Sequence, residues 1–143
     1  MEKRAANIVA AQYEIPLSIV TVSCPRTSFS IGEVVGRNAF LIMAALMFGP
    51  RNPDFIAIGI HAGSPYYDCS VPFFERMSIL LAEHTDGRCA LLAPFLEWSK
   101  SDVFEYAINS GLDLSSTFSC EAGTLPTCGS CQSCLDRKVL FDA

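Results

Sequence analysis

Blocks of apolar and polar residues alternate along the chain and predict helices and strands in turn. In the first third, apolar residues at helical spacing predict a helix over residues 5–13. The β-branched run over residues 17–22 predicts a buried strand, and a polar loop over residues 23–34 follows it. We expect Asn38 to cap the next helix, which covers residues 38–48.

The same alternation continues through the rest of the chain. Apolar runs over residues 55–60 and 89–93 predict two further buried strands. Between them, Ser70 begins a predicted helix. The apolar face of that helix consists of Val71, Phe74, Met77, Leu80 and Leu81. Ser99 and Asp102 have the spacing of a capping box for another helix.

This order of strands and helices is typical of a parallel α/β sheet. In such sheets, ligands bind outside the carboxyl ends of the strands. We therefore expect the chemistry of this protein in the loops that follow the three predicted strands. The polar residues of these loops are Arg26, Arg37, Asn38, His61, Tyr66, Tyr67, Asp68, Glu97, Ser99 and Lys100.

Composition narrows the classes of protein to which the chain can belong. Its 143 residues are 50% hydrophobic and 17% charged, which excludes a disordered chain and fits one compact domain. The longest uncharged apolar run covers residues 39–48, well short of the roughly 20 residues of a membrane span. No secretory signal is visible, so we expect a cytoplasmic protein. A net charge of -5 argues against direct binding to nucleic acid.

Four of the seven cysteines form a cluster near the carboxyl end. Cys120, Cys128, Cys131 and Cys134 have the pattern C-x7-C-x2-C-x2-C. Such gaps allow thiolates to converge on one ion, and four sulfurs at about 2.3 Å satisfy a tetrahedral zinc. Gly129 lies where we expect the loop to need a backbone without a side chain in the way. Because protein fills all four positions, the pattern favours a structural metal over a catalytic one.

Other interpretations of this cluster remain open at this point. The C-x2-C pairs are also compatible with redox-active dithiols, local disulfides or an iron–sulfur cluster. An odd number of cysteines without a signal peptide argues against a secreted disulfide framework. We expect the three scattered cysteines, Cys24, Cys69 and Cys89, to be small buried hydrophobic residues.

Two basic residues of the loops suit an anionic ligand. Arg37 precedes a predicted helix, and an arginine beside exposed helix amides suits a phosphate or carboxylate. The alternative is an ordinary surface arginine. Lys100 opens a later helix, where it can neutralise phosphate charge or simply lie in solvent.

The loop after the second predicted strand suits a flat heterocycle. The rings of Tyr66 and Tyr67 can stack on a purine, and Asp68 can accept hydrogen bonds from guanine-like N–H groups. The alternative is a turn aspartate beside two packed rings. His61 can bind substrate or exchange a proton near neutral pH, and a structural role is equally compatible.

Five segments together carry a resemblance to a known family. They are Gly36-Arg37-Asn38, residues 59–69 (GIHAGSPYYDC), Pro94 with Ser99-Lys100, residues 117–120 (TFSC), and residues 128–137 (CGSCQSCLDR). In order and spacing they resemble 7-cyano-7-deazaguanine synthase of queuosine and 7-deazapurine biosynthesis. That family converts 7-carboxy-7-deazaguanine to the nitrile with ammonia and ATP, through an adenylated carboxylate and an amide.

The resemblance implies a fold, two domains and a set of functional residues. The fold is an adenine nucleotide α-hydrolase-like parallel sheet over residues 1–116, with a zinc-binding tail over residues 117–143. The four clustered cysteines hold a structural zinc ion, and ATP with Mg²⁺ is the co-substrate. Lys100 and Arg37 are the expected catalytic residues. The expected substrate-binding residues are Asn38, His61, Tyr66, Tyr67 and Asp68.

One departure from the family concerns the use of ATP. The family begins with a strand and a pyrophosphate loop of the form SGGxDS, and this sequence contains no such motif. We therefore expect the sheet of this chain to be incomplete at the N-terminal side. We also expect the chain to be a fragment of a longer enzyme or to be inactive alone. A homodimer or a partner chain can supply the missing strands. The alternative functions are a zinc-stabilised deazapurine-binding or assembly module, and a purely structural zinc domain.

Overall fold

The computed structural model describes residues 1–23 and 34–142, which form two compact units. Within these limits, one unit holds residues 34–103, and the other holds residues 1–23 and 104–142. The predicted polar loop, with Cys24 and Arg26, lies outside the described residues apart from its two ends. The predicted domain division between residues 116 and 117 stays a prediction.

A parallel two-stranded sheet lies at the centre of the unit formed by residues 34–103. Strand β1, Phe55–Ala57, pairs with strand β2, Ala90–Leu92, and Ile56 lies opposite Leu91. The predicted α/β class with parallel strands is thus confirmed for this unit. Both strands are shorter than the apolar runs predict. Hydrogen-bonded pairing covers only three residues of each strand.

Two helices accompany these strands: α2, Arg37–Phe48, and α3, Val71–Thr85. As predicted, Ser70 caps α3, and its hydroxyl accepts a hydrogen bond from the backbone N–H of Phe73 at 3.3 Å. The predicted apolar face of α3 is wrong in part. Spacing by four residues places Phe73 and Leu81 with Met77 in the core. Val71 and Leu80 are 41% and 37% exposed, and Phe74 is half-buried.

The core of this unit lies against one face of the sheet. Its buried residues are Ile42, Ile56, Ile60, Cys69, Phe73, Met77, Leu81, Cys89 and Leu91. Cys69 and Cys89 are therefore buried, as predicted. On the opposite face, Phe55 is 58% exposed and Leu92 is 41% exposed. Because side chains alternate between faces along a strand, a one-sided core leaves the second apolar face accessible.

The capping box predicted at Ser99 and Asp102 is confirmed. The Asp102 carboxylate accepts from the Ser99 backbone N–H and hydroxyl, both at 2.7 Å. In return, the Asp102 N–H donates to the Ser99 hydroxyl at 3.2 Å. These reciprocal bonds satisfy N–H groups at the start of helix α4, Lys100–Asn109.

The other unit is built from short helices. Helix α1, Glu2–Gln12, confirms the helix predicted for residues 5–13. A short 3-10 helix, Leu114–Ser116, precedes the cysteine segment, and α5, Gln132–Asp142, follows it. The rings of Phe104 and Phe141 meet edge to face at 5.2 Å. None of the helices in the described part of the chain has both the length and the apolarity needed to cross a membrane.

The strand predicted at residues 17–22 is wrong. These residues belong to no strand, and apolar side chains such as Ile19 and Val22 are 49% and 61% exposed. A strand requires a neighbour that completes its backbone hydrogen bonds. Within the described residues, only β1 and β2 form a sheet, and they pair with each other. The β-branched pattern alone therefore does not produce a strand here.

Candidate metal centre and substrate loops

Four cysteine side chains converge near the carboxyl end of the chain. Cys120 is buried after the 3-10 helix, Cys128 and Cys131 lie in the following loop, and Cys134 lies in the first turn of α5. All four Sγ atoms lie within 4.8 Å of one another. The predicted convergence of these residues is confirmed.

The spacing of these sulfurs fits one tetrahedral metal ion. Four metal–sulfur bonds of about 2.3 Å at tetrahedral angles place the sulfurs about 3.8 Å apart. The Sγ atoms of Cys128 and Cys134 are 3.9 Å apart. The six described cysteines are all free thiols, so none of these sulfurs is bound in a disulfide. Four thiolates are the ligand set of structural zinc and of iron in proteins.

Gly129 has a different role in this loop from the one predicted. A Cβ atom built on Gly129 meets nothing within 4 Å, so steric clearance does not require glycine. Its φ of +70° instead places the backbone in the left-handed region, which glycine adopts at little cost. This conformation turns the chain between Cys128 and Cys131.

Backbone N–H groups directed at sulfur favour the thiolate form at one end of the cluster. The Cys128 N–H donates to the Cys120 Sγ at 3.4 Å and lowers the pKa of Cys120 to about 6. The N–H groups of Ser130 and Cys131 lower the pKa of Cys128. Burial instead raises the pKa of Cys134 to about 12. The Cys120 and Cys134 thiols therefore differ in acidity, and the proton of Cys134 is the harder of the two to remove when a metal ion enters the cluster.

Arg137 connects α5 to the segment that precedes the cysteines. Its guanidinium donates to the Thr117 hydroxyl at 2.8 Å and to the Leu114 carbonyl. It also lies 4.9 Å from the centre of the Phe141 ring. The sequence did not predict these hydrogen bonds, because Thr117 and Leu114 lie 20 and 23 residues before Arg137.

In the unit formed by residues 34–103, Asn38 and Asp68 form a buried pair. The Asp68 carboxylate accepts from the Asn38 backbone N–H at 3.2 Å, and the Asn38 amide donates to the Asp68 carbonyl at 2.9 Å. The N-cap of α2 is Gly36, in the left-handed conformation. The predicted cap at Asn38 is therefore wrong, because Asp68 satisfies the helix N–H from the neighbouring loop.

Arg37 lies beside this pair at the surface. Its Nε donates to the Asn38 side-chain oxygen at 3.3 Å, while the guanidinium remains exposed. The helix terminus and Arg37 place positive charge next to the buried Asp68 carboxylate. The structure thus brings Arg37, Asn38 and Asp68 together at one helix end.

The two tyrosines of the loop have different surroundings. Tyr66 is half-buried against the core. Tyr67 is half-exposed, and its ring lies edge to face with Phe73 at 5.9 Å. Arg76 donates to the Tyr67 hydroxyl and lies over the same ring. Sequence reasoning missed Arg76, whose spacing of nine residues from Tyr67 matches no simple helical pattern.

The His61 ring and the backbone of Lys100 both lie close to Gly63. The Gly63 N–H donates to His61 Nδ1 at 3.0 Å, so the neutral ring carries its proton on Nε2. A Cβ on Gly63 would lie 3.0 Å from that nitrogen and 3.2 Å from the backbone N of Lys100. The Ala62 N–H donates to the Trp98 carbonyl at 2.9 Å. The loops after β1 and β2 are therefore joined closely at this point.

Comparison with known proteins identifies the family. The family described as "Queuosine biosynthesis protein QueC" matches residues 2–143. A 7-cyano-7-deazaguanine synthase of Haloarcula marismortui is 36% identical over 110 residues, which are 73% of this chain and 47% of that protein. Synthases of the same name from Chelativorans sp. and Allorhizobium ampelinum are 34% and 33% identical over 78% and 80% of this chain. The chain spans about half the length of these relatives. It belongs to the QueC family of queuosine biosynthesis proteins.

Proposed function

We propose that this chain acts in the ATP-dependent conversion of 7-carboxy-7-deazaguanine and ammonia to 7-cyano-7-deazaguanine. The observation that carries the proposal is the family match over residues 2–143, which includes every predicted site residue. In this chemistry the substrate carboxylate attacks the α-phosphorus of ATP and pyrophosphate leaves. Ammonia then displaces AMP to give the amide on the way to the nitrile.

Asp68 is the proposed acceptor for the N–H groups of the deazaguanine ring. One carboxylate oxygen is held by the Asn38 N–H at 3.2 Å, and the other accepts only from the weak donor Cys69 Sγ at 3.8 Å, which ligand N–H groups would replace. Asn38 fixes the loop through its bond to the Asp68 carbonyl. Binding would then need little reorganisation, because the carboxylate is already oriented.

Aromatic and basic residues complete the proposed site. The half-exposed ring of Tyr67, with Tyr66 beside it, offers a surface for the flat heterocycle. His61 presents Nε2–H as a donor. Arg37 and Lys100 are the proposed catalytic residues, because both are cations that can stabilise negative charge on the carboxylate and phosphates during adenylyl transfer. ATP would enter as its Mg²⁺ complex, as is usual for phosphate transfer.

The four-cysteine cluster is the proposed site of a structural zinc ion. Cys120, Cys128, Cys131 and Cys134 would fill all four coordination positions, so no position remains for substrate. Bound zinc would stabilise the segment between the 3-10 helix and α5. The charge of the ion also favours deprotonation of the Cys134 thiol.

A second candidate function is a binding or assembly module that obtains its nucleotide loop from another chain. The sequence contains no SGGxDS motif, and the chain spans about half the length of its relatives. The exposed apolar face of the sheet, with Phe55 and Leu92, supports the same proposal because parallel sheets are usually covered on both faces. We propose that a partner chain or a second copy of this chain supplies these strands.

Calorimetry and an AMP-release assay distinguish the two candidates. We expect the chain alone to bind 7-carboxy-7-deazaguanine and to release no AMP with ATP and ammonia. Asp68→Asn should abolish this binding, whereas the matched exposed control Asp54→Asn should not change it. Steady AMP release by the chain alone would overturn the need for a partner. Equal affinity of Asp68→Asn and wild type would overturn the proposed site.

A further inference from the structure

A cavity of about 460 Å³ lies at the opposite edge of the sheet from the substrate loops. Its wall includes Pro53 and Cys89, which lie just before β1 and β2 respectively. Because the strands are parallel, both begin at this edge, while the loop over residues 61–68 and Lys100 follow their carboxyl ends. The cavity is therefore distinct from the proposed substrate site. All of its lining residues belong to the unit formed by residues 34–103.

The charge of this cavity is opposite to that of the chain. Arg51, His84 and Arg88 line it, and its lining contains no acidic residue. The chain as a whole has a net charge of -5, so this local excess of basic groups is not expected from composition. Low-dielectric walls around charges of one sign concentrate the field on a counter-ion.

The basic residues are only partly used by the protein itself. Arg88 Nε donates to the Thr85 carbonyl at 2.9 Å, and the side chains of its 3.4 Å ion pair with Asp86 are 68% and 86% exposed. Such an exposed ion pair contributes little to stability, so an anionic ligand can replace Asp86 beside Arg88 at low cost. The Arg51 side chain has no hydrogen bond or ion pair with any described residue, so stabilisation of the fold does not explain its position.

Most of the remaining lining residues of the cavity are apolar, and Asn52 and Thr85 are the polar exceptions. Met47, Pro50 and Pro53 are among the apolar residues, and a volume of about 460 Å³ exceeds what a simple inorganic anion needs. Small-molecule sites usually have volumes of about 300–1,000 Å³ and combine apolar walls with a few polar groups. The cavity therefore suits a ligand with a flat or apolar body and an anionic group.

We propose that this cavity binds a small phosphorylated molecule of the nucleoside monophosphate class. Arg51 and Arg88 contact the phosphate, and the apolar residues of the lining cover the ring system. His84, whose Nδ1–H donates to the Leu80 carbonyl at 2.9 Å, completes the wall. This site is independent of the proposed substrate site and of the cysteine cluster. It does not depend on the proposed function.

The test is equilibrium titration of the full chain with adenosine 5′-monophosphate at low ionic strength. Adenosine and inorganic phosphate are titrated separately, and both should bind at least tenfold more weakly than the nucleotide. Arg51→Gln should raise the Kd at least fivefold, and combining it with Arg88→Gln should raise it further. Arg4→Gln, which changes an exposed arginine of α1, should leave the Kd unchanged.

Three outcomes would overturn the proposal. The first is no binding of adenosine 5′-monophosphate by the wild-type chain. The second is equal affinity of the Arg51→Gln and wild-type chains. The third is loss of binding in Arg37→Gln but not in Arg51→Gln, which would assign the nucleotide to the substrate loops. Because the Arg51 side chain has no partner in the described part of the chain, Arg51→Gln separates ligand contact from loss of folding.

Discussion

The Glu121 carboxylate accepts two hydrogen bonds from Ser133, one from its backbone N–H at 3.0 Å and one from its hydroxyl at 2.8 Å. Ser133 lies in the first turn of α5, so Glu121 satisfies an N–H group that the helix itself leaves free. Glu121 follows Cys120, and Ser133 precedes Cys134. The contact therefore connects the immediate neighbours of two proposed metal ligands.

We expect Glu121→Ala to destabilise the metal-binding segment by about 1 kcal/mol, because it leaves the α5 terminus uncapped. Glu121→Gln should cost less, since it keeps an acceptor oxygen. Thermal unfolding of the metal-loaded chain measures both effects. Glu105→Ala, at an exposed glutamate of α4, is the matched control. Equal stability of Glu121→Ala and the control would show that the cap contributes nothing.

The buried pair of Asn38 and Asp68 should show strong energetic coupling. Either single substitution to alanine leaves a buried polar partner unsatisfied and should cost about 1–3 kcal/mol. The double variant should cost less than the sum of the two single variants. Urea unfolding of the four chains measures the coupling. Additive losses would contradict a direct interaction.

The capping box gives a prediction about pH. Hydrogen bonds from the Ser99 hydroxyl and N–H lower the pKa of Asp102 below 3.8. Because the folded pKa lies below the unfolded value, the stabilising contribution is complete above the unfolded pKa. It is lost as the pH falls through the lowered folded pKa. We expect unfolding free energy to decline below about pH 4, and less steeply in Asp102→Asn.

Urea unfolding at several pH values tests this, with Asp54→Asn as the control. The Asp54 carboxylate accepts no hydrogen bond from the described residues, so this variant removes a carboxylate without removing a helix cap, and comparison with it isolates the effect of the cap. Identical profiles for Asp102→Asn and wild type would show that the capping box is unimportant for stability.

Backbone conformation at Gly129 leads to a further prediction. Gly129→Ala should cost about 1 kcal/mol, because alanine resists a φ of +70° although there is space for its Cβ. Gly59 is the matched control, since its Cβ also meets nothing and its φ is not in the left-handed region. Urea unfolding of the metal-loaded variants gives the free energy of unfolding of Gly129→Ala and of Gly59→Ala for this comparison. A larger loss in Gly59→Ala would contradict this explanation.

Local patterns were enough to predict part of this structure. The capping box at Ser99 and Asp102 spans four residues, and the cysteine cluster spans fifteen, so spacing alone specifies which groups can meet. The predicted helix starting after Ser70 is confirmed for the same reason. Each of these features depends on residues that are close along the chain.

Features that depend on distant residues could not be predicted in this way. Asn38 has the chemistry of an N-cap, but Asp68, thirty residues later, provides the acceptor. Residues 17–22 have strand propensity, yet a strand forms only beside another strand. Glu121 and Ser133 meet only because the chain turns through the cysteine loop between them.

Metal analysis of the freshly purified chain under reducing conditions tests the central proposal most directly. We predict one zinc ion per chain in the wild type and in the control Cys89→Ala, whose buried thiol lies outside the cluster. Cys120→Ser and Cys134→Ser should each retain far less metal and unfold more readily, because metal binding and folding are coupled. A wild-type chain without bound metal, or a Cys120→Ser chain with a full equivalent of zinc, would contradict the proposed metal centre.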